Sequence, residues 1–143
     1  MNIIEIFEKF AADFEASFED DNWIRLKKYF TKDATYLNVD DPESKSLGAD
    51  EIINFIKEDV TNIDRKFDTR KVVSLSPPTA EGNRLSRLWQ AKYSLRRFPD
   101  LVVEGESRYL FEKDLIKSIE VELTEDSKKT HQEWMNNFGE KLQ

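Results

Sequence analysis

With 143 residues and no cysteine, the chain can form no disulfide, no thiolate metal site and no cysteine nucleophile. A formal net charge of −7 runs against a general nucleic-acid binder or an anionic-membrane ligand, since both require a basic surface. Ten Phe, four Tyr and three Trp supply core material for one expected domain, 1–143, which at this length buries roughly two-thirds of its unfolded surface.

The opening residues Met1-Asn2-Ile3-Ile4-Glu5 carry neither a basic run nor a long apolar one. No signal peptide or membrane span is expected, and the cytoplasm is the expected compartment. Ile3, Phe7, Phe10, Phe14 and Phe18 recur at spacings of three and four, so they share one face of a helix. Asn2 is placed to cap it, with Glu5 in capping-box register. Glu19-Asp20-Asp21-Asn22 breaks the pattern before a short second helix carrying Trp23, Leu26, Tyr29 and Phe30. A short strand, 34–39, follows, then a loop, 40–45.

Gly48 and Asp50 introduce a third helix with Ile53, Ile56, Val60 and Ile63 on one face. After it the apolar period changes from about 3.6 to 2. A β-rich segment, 71–76, ends at Pro77-Pro78. Three longer strands follow at 84–97, 101–111 and 115–123, and their short connections predict an antiparallel meander. A last helix, about 125–137, should end with Gly139 as its C′ residue. Trp134 and Phe138 on that helix are expected to pack on the domain.

Alternation sorts these strands into faces. Leu85, Arg87, Trp89, Ala91, Tyr93 and Leu95 share one side of the first long strand. Leu101, Val103, Gly105, Ser107, Tyr109 and Phe111 share a side of the second, and Ile119, Val121 and Leu123 a side of the third. Assigned to a concave face beneath the helices, this set gives a pocket lined by Tyr36, Asn38, Arg87, Trp89, Tyr93, Ser107 and Tyr109. The same aromatic stripe would also serve as plain core. Arg87 stands out, because a buried guanidinium needs partners; its head could equally sit in water at a pocket rim.

Other features point to bland roles. His131, the single histidine, falls on a polar helix. Asp40, Asp41 and Glu43 could hold a divalent cation, but lacking any EF-hand register they read first as a solvated loop. Arg84, Arg96 and Arg97 are expected to pair across strands with Glu104 and Glu106. The single glycines form no phosphate loop, and neither metal nor cofactor is expected.

Several strings, in order, resemble the nuclear-transport-factor-two-like superfamily, which includes SnoaL-like polyketide cyclases and ketosteroid isomerase. They are Trp23-x-x-Leu26-x-x-Tyr29-Phe30-Thr31-Lys32-Asp33-Ala34-Thr35-Tyr36, the stretch from Leu47 to Phe55, Glu104 to Phe111, and Asp114-x-Ile116-x-x-Ile119-Glu120. The likeness covers about 2–124. It implies an α+β fold in which N-terminal helices pack on a strongly curved antiparallel sheet around a cone-shaped pocket, with Phe55 joining the ligand-binding set. It also implies a homodimer through the outer sheet face, here Leu88, Gln90, Val102 and Leu110.

The isomerase's acid set does not carry over. The positions of its oxyanion-hole Tyr, base Asp and second Asp fall on Phe14, Asn38 and Ser107, and an amide cannot take a carbon-bound proton. An insertion would let Asp40 or Asp41 act instead. Candidate catalytic residues are therefore Asn38, Asp40, Arg87 and Tyr93, and whether the chain is an enzyme stays open. The expected role is binding or transforming a small apolar ring-containing molecule by proton transfer, cyclisation or hydration. The alternative is a non-catalytic association domain with a vestigial pocket.

Overall fold

The computed structural model describes residues 2–142. Helix α1 spans Ile3–Asp20 and starts as its sequence predicts. The Asn2 side-chain oxygen accepts from the Glu5 backbone N–H at 2.9 Å, and the Asn2 amide donates to Glu5 Oε1 at 3.0 Å. At its other end Asp21 takes a left-handed φ of 60° and its carboxylate accepts from Trp23 Nε1. The next segment, Trp23–Tyr29, winds as a 3-10 helix and not as the expected α-helix. Trp23, Leu26 and Tyr29 stand three apart, the spacing that a 3-10 turn stacks on one side.

Strand β1 (Phe30–Asn38) begins earlier than expected, and β2 (Ser46–Leu47) pairs with it antiparallel. Gly48, with φ 89°, turns the chain into α2 (Ala49–Asn62), which buries Ile52, Ile53, Ile56 and Val60. Strands β3 (Thr69–Ser74), β4 (Thr79–Glu81), β5 (Arg84–Ser94), β6 (Leu101–Glu112) and β7 (Leu115–Leu123) follow, then α3 (Glu125–Phe138). The meander β5-β6-β7 is present as the short connections require. Strand β5 stops short of Arg97, which adopts a φ of 76° in the turn to β6.

The sheet order is β2-β1-β7-β6-β5-β3, with β4 beside β5. One pairing departs from an all-antiparallel sheet: β1 runs parallel to β7, matching Tyr36 with Ile119 and Asn38 with Val121. The chain between them crosses the whole sheet, so β1 returns in the direction that adjacency in sequence would have forbidden. Register shifts near Phe30/Thr35 and Leu110/Phe111 bend the sheet at two places. Gly139 is not a left-handed C′ residue. Its φ of −56° lets the chain continue into a 3-10 turn, Gly139–Lys141.

Two apolar clusters cover the concave face. At one end α1, α2 and the 3-10 segment bury Phe7, Phe10, Trp23, Leu26, Ile52 and Ile56 against Leu85, Tyr109, Phe111 and Ile119. At the other, α3 lays Trp134 on Phe67, Ala91, Leu101 and Val103, and its indole N–H donates to the Pro99 carbonyl at 2.7 Å. Trp134 and Phe138 therefore pack on the sheet as expected. The convex face keeps Leu88 45% exposed and Val102 37% exposed. No helix among the described residues is long and apolar enough to cross a membrane.

Candidate functional site

Between the two clusters lies a cavity of about 260 Å³. Its sheet wall is built by alternation: Arg70 and Val72 from β3, Arg87, Trp89, Ala91 and Tyr93 from β5, and Ser107 and Tyr109 from β6. Register places these side chains beside one another, since Arg70 pairs with Tyr93, Arg87 with Ser107, and Leu85 with Tyr109. Tyr36, Ile56, Ile119 and Val121 contribute further wall, and Phe10, Ala11, Phe14 and Glu15 of α1 close the top.

Of the residues expected from sequence, Tyr36, Arg87, Trp89, Tyr93, Ser107 and Tyr109 come together here. Phe55 sits behind the wall, its ring 5.5 Å from that of Tyr36. Asn38 is turned away: its side-chain oxygen accepts from the Asp40 backbone N–H at the end of β1. Asp40 accepts from the Leu123 N–H and pairs with Lys128 at 3.0 Å, tying the β1 loop to β7 and α3. Neither Asn38 nor Asp40 lines the cavity. The anticipated pairs between Arg84, Arg96 or Arg97 and the β6 acids are replaced by others. Glu106 binds Arg108 and Ser86, and Glu104 accepts from Gln90.

Trp89 lies flat against the sheet because its register partner is Gly105. A Cβ at that glycine would stand 2.5 Å from the indole and 2.6 Å from the Glu122 carbonyl oxygen. The indole N–H donates to Ser107 Oγ at 3.0 Å, which fixes the ring as a cavity wall. Ser107 thus already has a structural task. Phe14, at another position of the missing acid set, packs edge-on to Trp23 with ring centres 5.4 Å apart.

The sequence reading missed Arg70, because it began the strand at residue 71. The alternation Arg70-Val72-Ser74, matched to the inward row of β5, was the available signal. Arg70 is 9% exposed and lies between two carboxylates, with Nη1 2.9 Å from Glu15 and Nε 2.9 Å from Asp64. The Nε–H does not point at the Asp64 oxygen, so that contact is an ion pair without an aligned hydrogen bond. The guanidinium also lies over the Phe18 ring at 4.8 Å. Arg70 is thus fully engaged by two acids along the β3 side.

Burial pushes the Asp64 carboxyl up to about 6, against the pull of Arg70 and with help from Asp59 and Glu15. Burial likewise holds the phenols of Tyr36 and Tyr93 well above their usual range, and lifts Tyr109 to about 12 despite Arg87 nearby. At neutral pH all three are uncharged hydroxyls, able to donate a hydrogen bond to a ligand and unable to act as phenolates. Among the described residues the carboxylate lining the cavity is Glu15, at its solvent side and engaged with Arg70.

This fold has close counterparts among solved structures. A SnoaL-like polyketide cyclase from Shewanella putrefaciens superposes with a TM-score of 0.67 at 8% identity, over 90% of this chain and 84% of that one. A protein with a ketosteroid isomerase-like fold from Catenulispora acidiphila, in complex with trimethylamine, gives 0.60 at 13% identity, over 78% and 82%. TerC co-crystallised with polyporic acid gives 0.59 at 10% identity, over 80% and 88%. No protein-family model matches the sequence, and no curated protein matches it either. The chain has the NTF2-like fold, a curved-sheet architecture shared with those proteins.

Two outcomes follow. Gly105→Ala should displace the Trp89 ring and break its bond to Ser107, seen as a shifted indole N–H resonance and altered tryptophan emission; an unchanged indole environment would contradict the packing described. For Asp64, the folded pKa of about 6 exceeds the unfolded value near 3.9, so the folded state holds the extra proton and its stability falls as pH rises through that window. Asp64→Asn should therefore gain on the wild type between pH 4 and 7, by up to about 3 kcal/mol. Denaturant titrations at several pH values check this, and a difference that stays flat with pH would refute it.

Proposed function

We propose that this protein binds a small, largely apolar, ring-containing molecule in the cavity between its two apolar clusters. The observation that carries the reading is a hollow walled by Tyr36, Trp89, Tyr93 and Tyr109, whose polar points are neutral hydroxyls, Ser107, Arg87 and the Glu15–Arg70 pair. Its volume of about 260 Å³ suits a molecule of one or two rings. The proteins that share the fold include a polyketide cyclase and one crystallised with polyporic acid, which supports this class of ligand. Another was solved with trimethylamine, so the fold alone does not choose the ligand's charge.

Chemistry on the ligand, of the proton-transfer, cyclisation or hydration type, would have to use Arg87 and Tyr93. These are the two catalytic candidates that line the cavity. Neither is a base at neutral pH, so binding is the better-supported half of the reading.

Trp89→Ala and Tyr93→Ala should each weaken binding of a neutral bicyclic probe, 2-naphthamide, by about tenfold. Calorimetry measures it, with circular dichroism to show that the fold survives. Equal affinity in both variants would remove the reading.

The convex face supports a second reading, self-association. Leu88, Val102, Val73 and Leu75 are exposed there, while Leu110 is half-buried. We propose that this face joins two copies of the chain. Leu88→Lys should then convert a dimer to a monomer in sedimentation equilibrium. A wild type that stays monomeric at high micromolar concentration would exclude the dimer.

A further inference from the structure

The arginines of this chain divide by what neutralises them. Arg25, Arg65, Arg70 and Arg108 each close on a carboxylate. Among the described residues Arg84, Arg96 and Arg97 have no ion pair and lie exposed at the surface. Arg87 has none among them either, but it is half-exposed and lines the cavity. Its Nε donates to Ser74 Oγ at 2.9 Å, which fixes the plane of the guanidinium, and its carbon lies 5.6 Å from the Phe7 ring. The two terminal nitrogens make no hydrogen bond to any described residue. In a chain of net charge −7 this cation is left unpaired among the described residues, while Arg70 receives both Glu15 and Asp64.

Arg87 is half-exposed, its terminal donors are free for an anion entering the cavity, and a planar guanidinium fork matches a carboxylate. Arg87 stands next to Ser107 in the cross-strand register and near Tyr109, whose uncharged hydroxyl is a donor. Arg87, Ser107 and Tyr109 thus share one part of the cavity wall. Its remaining walls are mainly aromatic and aliphatic, with the neutralised Glu15–Arg70 pair at the solvent side.

From this arrangement we infer that the cavity selects a ring-bearing monocarboxylate, received with its acid group on Arg87. This inference rests on the reading of the cavity as a ring-binding site and adds the charge of the ligand to it. Arg70 is not the receptor, because its own two acids would repel the incoming carboxylate.

The test compares 2-naphthoate with 2-naphthamide, which differ in charge and little in shape. Calorimetry with the wild type should show naphthoate bound about tenfold or more tighter. Arg87→Gln should bring the two affinities together, naphthoate losing far more than naphthamide, while tryptophan emission from Trp89 reports an intact cavity. Equal binding of the two probes by the wild type, or a preference that survives in Arg87→Gln, overturns the inference while the ring-binding reading stands. If the wild type binds neither probe, both fall. Should Arg87→Gln lose both probes, Arg87→Lys decides, because it keeps the charge: a retained preference for naphthoate supports the inference, and its loss overturns it.

Discussion

The site depends on a mismatch of lengths. Strands β5 and β6 hold 11 and 12 residues, so each runs about 35–40 Å, while a helix with its side chains is only about 10–12 Å across. No single helix crossing the sheet can cover that apolar face. The chain covers it in two places, with α1 and α2 over Leu85, Tyr109 and Phe111 and with α3 over Ala91, Leu101 and Val103. The stretch of strand between the two clusters carries Arg87, Trp89 and Ser107, with Tyr93 just beyond Ala91 on the α3 side. One face of α1 spans the gap above them. The cavity is what remains when curvature keeps the two roofs apart.

Inside that gap, polar groups must find partners or face water, and the chain treats its two cavity arginines in opposite ways. Arg70 is brought near neutrality by Glu15 from α1 and Asp64 from the turn after α2, joining both helices to the edge strand β3. Asp64 meets the cost of that burial with a raised pKa, so the triad holds the edge together at some expense in stability at neutral pH. Arg87 is held only by Ser74, on the same edge strand. A clamp at the Tyr93 end and an unpaired cation beside Ser107 thus stand apart along the same sheet wall, and only the second has donors to spare.

Much of this was readable before the structure. The spacing Ile3, Phe7, Phe10, Phe14 and the alternation from Leu85 to Tyr93 are strong periodic signals, and they name the roof and the wall correctly. What escaped was set by tertiary pairing. The parallel β1–β7 neighbour joins segments about 80 residues apart, and no local pattern encodes it. Arg70 was overlooked because a charged residue at a strand's second position reads as loop until its cross-strand partner Tyr93 is known. Asn38 has the inward parity of Tyr36 but lies at the end of β1, where bonding to the next turn outcompetes a place in the cavity.

The three positions where an isomerase would keep its acid and donor set show why fold and chemistry part company here. Phe14 packs on Trp23 and helps close the cavity, Ser107 anchors the Trp89 indole, and Asn38 stabilises the turn leading to Asp40. Each has been given a structural task, and Ser107, unlike a carboxylate at that position, leaves its cross-strand neighbour Arg87 without a counter-ion. Arg87 is the exception, a charge that no carboxylate of the described residues neutralises. The polar chemistry of this cavity has therefore moved from the acid positions to a single cation, and any ligand or reaction must be explained through it.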